Sequence, residues 1–177
     1  PVLSRFGCNS SGCHGKAEGQ NGFKLSIFGF DPGADLAALT QEGRGRRTNR
    51  TVPGNSLLLL KASGGMPHGG GIRIRRNSGE YRVLRDWILA GANAGDPDAA
   101  KLVAIQVTPH DSRMAMEATR QLQVTAQFSD GREIDVTHLA KFQSNSEPLA
   151  TVDEYGLVTT GDSPGEAAIM ASYLGQV

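Results

Sequence analysis

Two cysteines and a histidine lie within seven residues near the start of the chain. The segment reads Cys8-Asn9-Ser10-Ser11-Gly12-Cys13-His14, and the chain has no other cysteine. Two thiols on one short loop can each form a thioether with a haem vinyl group, and a histidine that directly follows the second thiol can bind the iron. The usual attachment signature has two residues between the cysteines and this loop has four, but small residues can loop out without moving His14. The spacing therefore predicts one covalent haem c on Cys8 and Cys13, with His14 as an iron ligand.

Three other chemistries suit a pair of cysteines. A disulfide between Cys8 and Cys13 would close a very small loop and would leave His14 without a role. A zinc site would need a distant fourth ligand, because there is no second cysteine pair, and zinc favours shorter spacing. A redox-active dithiol normally has two intervening residues. We favour haem attachment over these three alternatives.

The second iron ligand is expected from a glycine-rich loop, GGMPHGGG at residues 64–71. Glycines let a backbone approach a ring closely, because they have no Cβ. The loop contains Met66 and His68, and both side chains can bind haem iron. Methionine raises the reduction potential and a second histidine lowers it. The residues alone leave both candidates open.

Two runs of arginine flank this loop in the sequence. They are Arg44, Arg46, Arg47 and Arg50 before it, and Arg73, Arg75 and Arg76 after it. Haem carries two propionates, and arginine pairs well with carboxylates. We expect one or two arginines to bind the propionates, with Arg44, Arg46, Arg47 and Arg73 as the candidates. The others are expected to form a solvated face or a docking surface for an acidic redox partner.

The net charge is zero for the whole chain but is divided unevenly. Residues 1–101 carry 14 basic and 8 acidic side chains, a balance of +6, whereas residues 102–177 carry 4 and 10, a balance of −6. This division predicts two domains with different partners. Aromatic residues are too sparse to favour nucleic-acid binding, and no apolar run is long enough for a membrane span. Because Pro1 opens the chain without a leader sequence, we expect a mature or excised segment of a longer protein.

Apolar spacing predicts helices in the first half. A short helix should end near Gly7, and others should cover 35–42 after a cap at Asp31 or Asp35, and 57–61 after a cap at Asn55 or Ser56. The strongest pattern follows Ser78, with apolar residues at 81, 84, 87 and 88. A helix stop and linker are expected at 91–98.

Period-two alternation predicts strands in the second half, at 102–107, 119–128, 132–136, 150–152, 157–160 and 166–173. Asp130-Gly131 is a hairpin signal, and residues 153–156 resemble another turn. Short strands at this spacing favour a β-sandwich. The predicted fold class is therefore multi-domain α + β, with a mainly α domain at 1–95 and an all-β immunoglobulin-like sandwich at 102–177.

The first half resembles the cytochrome c-like domains of large planctomycete surface or secreted proteins. The stretches that carry this resemblance are LSRFGC at 3–8, CHGK at 13–16, QNGFKL at 20–25, FGFD at 28–31, GRGRR at 43–47, SLLLLK at 56–61 and PHGGG at 67–71. In similar sequences the position of Met66 is often not methionine, whereas PHGGG recurs, so the resemblance favours His68 as the distal ligand. Ordinary cytochrome c domains place a Met-Pro pair here, which keeps Met66 as the alternative.

The second half resembles the bacterial immunoglobulin-like domain of group 2. The matching stretches are IQVTP at 105–109, QLQVTA at 121–126, FSDG at 128–131, DVT at 135–137, ATVD at 150–153, GLVT at 156–159 and GEAAI at 165–169. Such domains usually continue for one more strand, so we expect the final strand to be lacking here.

These observations predict an extracytoplasmic electron-transfer module fused to a spacer or adhesion domain. Its redox partner would be a protein of unidentified type. A haem-based sensor, a gas-binding or peroxidase-like site, and a non-redox structural or adhesion module are the alternatives. No nucleophile–base pair or carboxylate dyad stands out in the sequence, so we do not expect an enzyme.

Overall fold

Four short α-helices occupy the first part of the chain in the computed structural model, which describes all residues from 1 to 177. They are α1 (Val2–Arg5), α2 (Pro32–Thr40), α3 (Leu57–Ala62) and α4 (Gly79–Leu89). Short 3-10 turns lie at Ile27–Gly29, Glu42–Gly45 and Pro53–Asn55. None of the helices combines the length and the apolar character needed to cross a membrane. The remainder of this part is loop, and the loops carry the cysteines and the two histidines discussed above.

The chain divides into two compact units. One contains Phe6–Ala99 together with Val2, and the other contains Ala100–Val177 together with Pro1 and Leu3–Arg5. We refer to them as the helical unit and the β unit and describe each by itself.

Side-chain caps begin two of the helices. Asp31 accepts a hydrogen bond from the Ala34 amide at the start of α2, and Ser78 accepts one from the Tyr81 amide at the start of α4. Such caps satisfy amides that have no partner within the helix. Ser56 stands at the capping position of α3, but its buried hydroxyl accepts from the Asn49 amide instead. The helix there is confirmed, whereas the side-chain cap is not.

The core of the helical unit consists of aliphatic side chains from helices and loops. Leu59 of α3 and Ile88 of α4 are almost completely buried, as are the loop residues Leu25 and Ile74. Burying one such side chain contributes about 1.5–3 kcal/mol, and helices this short depend on tertiary packing for their stability. Two of these residues, Leu25 and Ile74, come from the loops that follow His14 and His68, so the core fixes both loops.

Eight β-strands form three small antiparallel sheets in the β unit. The strands are β1 (Leu102–Thr108), β2 (Thr119–Gln121), β3 (Gln123–Phe128), β4 (Glu133–Asp135), β5 (Lys141–Ser144), β6 (Ala150–Val152), β7 (Leu157–Thr160) and β8 (Ile169–Ser172). Their order is β1-β3-β4 in the first sheet, β2-β7-β6 in the second and β5-β8 in the third. A short 3-10 turn, Thr137–Leu139, follows β4.

Both predicted turns in this unit are confirmed. β3 and β4 form a hairpin around Asp130-Gly131, where Gly131 has a φ of 84° and its amide donates to the Phe128 carbonyl. β6 and β7 pair across residues 153–156, where the Gly156 amide donates to the Asp153 carbonyl. Positive φ values favour glycine, which explains why these positions were recognisable in the sequence.

The strand predictions are wrong in three places. The predicted strand 119–128 is divided at the buried Leu122, because β2 pairs with β7 whereas β3 pairs with β1. The predicted strand 166–173 shortens to Ile169–Ser172, and Lys141–Ser144, for which no strand was predicted, pairs with it as β5. Periodicity describes one chain segment at a time, whereas these boundaries depend on which partner strand is available.

Two apolar clusters fill the β unit. One surrounds the fully buried Val124 and Ala126, and the other surrounds Leu122 and Val158. Val107 and Phe142 pack against both clusters. The shared residues join the clusters into one core enclosed by antiparallel strands, as expected for a sandwich.

Candidate functional site

The imidazole rings of His14 and His68 lie opposite each other in the helical unit. Their centroids are 6.2 Å apart and their planes differ by 7°. His14 ends the cysteine loop, and His68 lies in the glycine-rich loop that follows α3. Two loops that are remote in sequence thus present parallel imidazoles to one another.

The same kind of hydrogen bond orients each imidazole. Nδ1 of His14 lies 2.9 Å from the carbonyl oxygen of Phe23, and Nδ1 of His68 lies 2.9 Å from the carbonyl oxygen of Gly71. A carbonyl oxygen can only accept, so Nδ1 carries the hydrogen in both rings. In the neutral form of either ring, Nε2 is then the nitrogen that keeps the lone pair. Metal-binding histidines are typically held in this way, with one nitrogen bound to a backbone carbonyl and the other to the metal.

The separation of the two ring centroids can be compared with that of two histidines that bind one metal ion. A metal–imidazole bond is about 2.0–2.1 Å long, and the bonded nitrogen lies about 1.1 Å from the ring centre, so two histidines on opposite sides of a metal ion place their centroids about 6.3 Å apart. The observed 6.2 Å agrees with this value. Direct ring contact is shorter, as shown by His14 and Phe23, whose centroids are 4.4 Å apart. Two imidazoles are a donor set that would suit a haem iron.

Gly70 leaves space beside the His68 ring. A Cβ added at Gly70 would lie 3.0 Å from Cε1 and 3.4 Å from Nε2 of His68. A side chain at this position would therefore press on the edge of the ring that carries the free nitrogen. The glycine-rich loop predicts close approach of the backbone to a ring, but nothing in the sequence distinguishes Gly70 from its neighbours.

Hydrogen bonds close the cysteine loop around its four intervening residues. The His14 amide donates to the Cys8 carbonyl over 2.9 Å, and the amides of Cys13 and Gly15 both donate to the Ser10 carbonyl. The Leu25 amide donates to the His14 carbonyl, which attaches the loop to the core. The extra residues therefore form a compact turn, and the backbone of His14 stays hydrogen-bonded to that of Cys8.

Gly15 is required by the tightness of this turn. A Cβ at Gly15 would lie 2.1 Å from the carbonyl oxygen of Asn9, much closer than atoms can approach. Gly12 in the same loop has nothing within 4 Å of its Cβ position. A side chain therefore has room at Gly12 but not at Gly15, and the sequence alone does not distinguish the two positions.

Cys8 and Cys13 are free thiols and not a disulfide. Burial raises the pKa of Cys8 to about 11, although the nearby positive charge of Arg73 opposes this shift. Cys8 is therefore a neutral thiol at physiological pH. A redox-active nucleophile would need an accessible thiolate, so the environment of Cys8 does not suit that alternative.

Burial also keeps the imidazole of His14 neutral. Desolvation lowers the pKa of His14, and the charges of His68, Arg47 and Lys61 act in the same direction, whereas the hydrogen bond to Phe23 opposes them. Neutral imidazole is the form that binds a metal ion.

Met66 does not share the position of His68. Its side chain is 39 % exposed, and its amide donates to the Leu60 carbonyl. The ring that faces His14 belongs to His68. Of the two candidate ligands that the sequence leaves open, the structure brings only His68 opposite His14.

The side chain of Arg47 is enclosed by protein groups, which its position in the sequence does not indicate. Its side chain is buried and donates to the carbonyls of Ala38 and Gly22, and its Cζ lies 4.6 Å from the centroid of the Phe23 ring. Its guanidinium is thus already engaged by protein groups, which argues against a propionate as its main partner. Arg47 instead supports Phe23, whose carbonyl binds His14.

The other three arginine candidates, Arg44, Arg46 and Arg73, are exposed. Arg73 lies near the cysteine loop, since its charge acts on the Cys8 thiol. Arg73 therefore has a position from which it can reach a group bound at Cys8, while the structure shows no comparable link for Arg44 and Arg46.

Comparison with known proteins found similarity for part of the chain. A segment of 73 residues is 34 % identical to Ice-binding protein 1 from Shewanella frigidimarina, and it covers 41 % of this chain and 8 % of that protein. The chain therefore corresponds to a small part of the length of this relative. Residues 103–172, which lie within the β unit and form its antiparallel strands, match the bacterial Ig-like domain (group 2).

Proposed function

We propose that the helical unit is a mono-haem c-type cytochrome domain that transfers electrons outside the cytoplasm. The observation that carries this proposal is the pair of parallel imidazoles, His14 and His68, whose centroids are 6.2 Å apart. Cys8 and Cys13 would hold the haem by thioether bonds. The Ig-like domain would act as a spacer or adhesion module that presents the haem domain to its redox partner.

Haem supplies an iron that alternates between the ferrous and ferric states. His14 and His68 would hold this iron, and the carbonyls of Phe23 and Gly71 orient the two rings. Because His14 and His68 would both bind the iron, a gas or a peroxide would have to displace one of them. This supports electron transfer over the sensor and peroxidase-like alternatives.

The ligand set also bears on the reduction potential. Two histidines lower the potential of a haem iron relative to a histidine–methionine pair. The exposed Met66 would take no part in setting it. We therefore expect a potential below that of ordinary cytochrome c domains with methionine ligation.

The β unit supports an extracytoplasmic location, because bacterial Ig-like domains of this group are typical of surface and extracellular proteins. The likeness to an ice-binding protein covers 8 % of that protein. We therefore propose a spacer or adhesion role for the β unit rather than ice binding. A purely structural role for the whole chain is the competing function.

The test is expression of the full chain in a host with c-type haem maturation. We expect haem that stays bound after denaturation and a spectrum of six-coordinate, low-spin iron. The His68→Ala variant should bind carbon monoxide in the ferrous state, whereas Met66→Ala should behave like the unaltered chain. A mature chain with two free thiols and no haem would overturn the proposal, and the Cys8→Ser/Cys13→Ser variant is the control without attachment.

A further inference from the structure

Among the hydrogen bonds that attach the loop of His68, residues 63–71, to α3, three hold successive parts of the loop. The Met66 amide donates to the Leu60 carbonyl over 3.1 Å, and the Arg73 amide, directly beyond the loop, donates to the Ala62 carbonyl over 2.8 Å. The third comes from a side chain. The ammonium group of Lys61 donates to the carbonyl oxygen of Pro67 over 3.0 Å.

The contact made by Lys61 differs from the other two in its place along the loop. The carbonyl of Pro67 belongs to the peptide group that joins Pro67 to His68. Proline has a fixed φ, so a partner that holds its carbonyl also sets the plane of the peptide leading into His68. The two backbone contacts hold the loop before Pro67 and after Gly71, whereas Lys61 holds it directly at the histidine.

The loop has little stiffness of its own around this point. It contains five glycines, Gly64, Gly65, Gly69, Gly70 and Gly71, which restrict the backbone weakly. Within the loop, the Gly71 amide donates to the His68 carbonyl, and Nδ1 of His68 binds the Gly71 carbonyl. These bonds shape the turn after His68 but do not fix the turn to the rest of the unit. The link to α3 at the level of His68 is therefore the Lys61 side chain.

We propose that Lys61 is a positioning residue that keeps His68 opposite His14 and so controls access of outside ligands to the metal site. The proposal concerning access to the metal depends on the proposed haem function, whereas the proposal that Lys61 restrains the loop does not. Loss of the ammonium group frees the Pro67–His68 peptide to rotate. His68 then leaves its position more often.

The test compares Lys61→Met, which removes the donor at similar length, with Lys61→Arg, which retains a donor. Lys24→Met is the matched control, because Lys24 is an exposed lysine of the same unit for which no side-chain hydrogen bond to a backbone carbonyl is found. The first measurement is amide hydrogen exchange of residues 63–73 in the full chain as isolated. We expect about three- to tenfold faster exchange in Lys61→Met, the factor expected when one exposed charge-assisted hydrogen bond is lost. Lys24→Met should be unchanged and Lys61→Arg close to the original.

The amides of α4 serve as the internal reference for this measurement. An equal increase in exchange over α4 and the loop would indicate a general loss of stability and would overturn the positioning role. Unchanged exchange of the loop in Lys61→Met would overturn it as well.

The second measurement is the rate at which carbon monoxide binds to the ferrous protein, which is limited by the departure of His68. We expect about a three- to tenfold higher rate in Lys61→Met and no change in Lys24→Met. An equal rate in both variants would overturn the control of access. A chain isolated without haem would overturn the proposed function instead, and hydrogen exchange would still decide the role of Lys61.

Discussion

Arg47 lies over the ring of Phe23, with its Cζ 4.6 Å from the ring centroid, and the carbonyl of the same Phe23 binds Nδ1 of His14. Arg47 therefore acts on His14 through Phe23, the residue that orients the His14 ring. A buried guanidinium that donates to two backbone carbonyls is a structural element of the loop, and its carbonyl partners would lose their hydrogen bonds without it.

Replacing Arg47 by Met should destabilise the helical unit by roughly 2–4 kcal/mol, because two part-buried carbonyls lose a charged donor. Chemical denaturation followed by the fluorescence of Trp87, the chain's one tryptophan, would measure this effect. The exposed Arg44 provides the control, and Arg44→Met should change the stability by less than about 0.5 kcal/mol. Equal effects of the two substitutions would contradict the structural role of Arg47.

Gly70→Ala should displace the His68 ring, because the new Cβ would lie 3.0 Å from Cε1 of His68. We expect a larger fraction of five-coordinate or ligand-exchanged iron, seen as high-spin absorption and as carbon monoxide binding to the ferrous protein. Gly69→Ala is the matched control, since nothing lies within 4 Å of its Cβ position. If Gly69→Ala and Gly70→Ala gave the same spectra, the contact with the His68 ring would have no part in ligation.

The sequence predicts those parts of this molecule that depend on neighbouring residues. The cap at Ser78 and the turn at Asp130-Gly131 are examples, because the cap is made within three residues and the turn requires glycine at a positive φ. The pairing of His14 with His68 was reached through the resemblance and the chemistry of the two loops, since the residues alone left Met66 open.

Long-range contacts account for what the sequence did not predict. The strand β5 owes its existence to pairing with β8, and the chain leaves one sheet for another at Leu122. Arg47 was expected to be available to a propionate, but its donors meet carbonyls that come from two other segments. Residue types and spacing indicate which groups can bind, and only the folded chain determines which of them are already occupied.

Gly15→Ala should prevent the cysteine loop from closing, because its Cβ would lie 2.1 Å from the Asn9 carbonyl oxygen, a backbone atom that cannot move alone. We expect a large loss of covalently bound haem after maturation, measured as the haem-to-protein ratio under denaturing conditions. Gly12→Ala, in the same loop but with open space at its Cβ position, should retain attachment. Normal attachment in Gly15→Ala would show that the turn is not needed for it.

Asp135 should make the stability of the β unit depend on acid pH. Its carboxylate accepts hydrogen bonds from the hydroxyl and the amide of Thr137 and from the Gln123 amide group, and the Thr137 hydroxyl in turn accepts from the Val124 amide. The side-chain hydrogen bond from Thr137, followed by its backbone hydrogen bond, lowers the pKa of Asp135 below its usual value of 3.8. The folded state therefore favours the charged carboxylate.

The sign of the effect follows from this lowered pKa. The stabilisation by Asp135 is fully present above the unfolded value near 3.8 and is lost as the pH falls through the lower folded value. Asp135→Asn should therefore lower the melting temperature of the β unit at pH 6, and the difference from the original chain should shrink at pH values below 3.8. Thermal unfolding followed by circular dichroism between about pH 2 and pH 7 measures this difference, because that range spans both protonation states of the carboxyl group.

Glu147, an exposed carboxylate outside this network, provides the control, and Glu147→Gln should show no such convergence. A difference between Asp135→Asn and the original chain that stayed constant over the whole range would show that the charge of Asp135 does not contribute to stability.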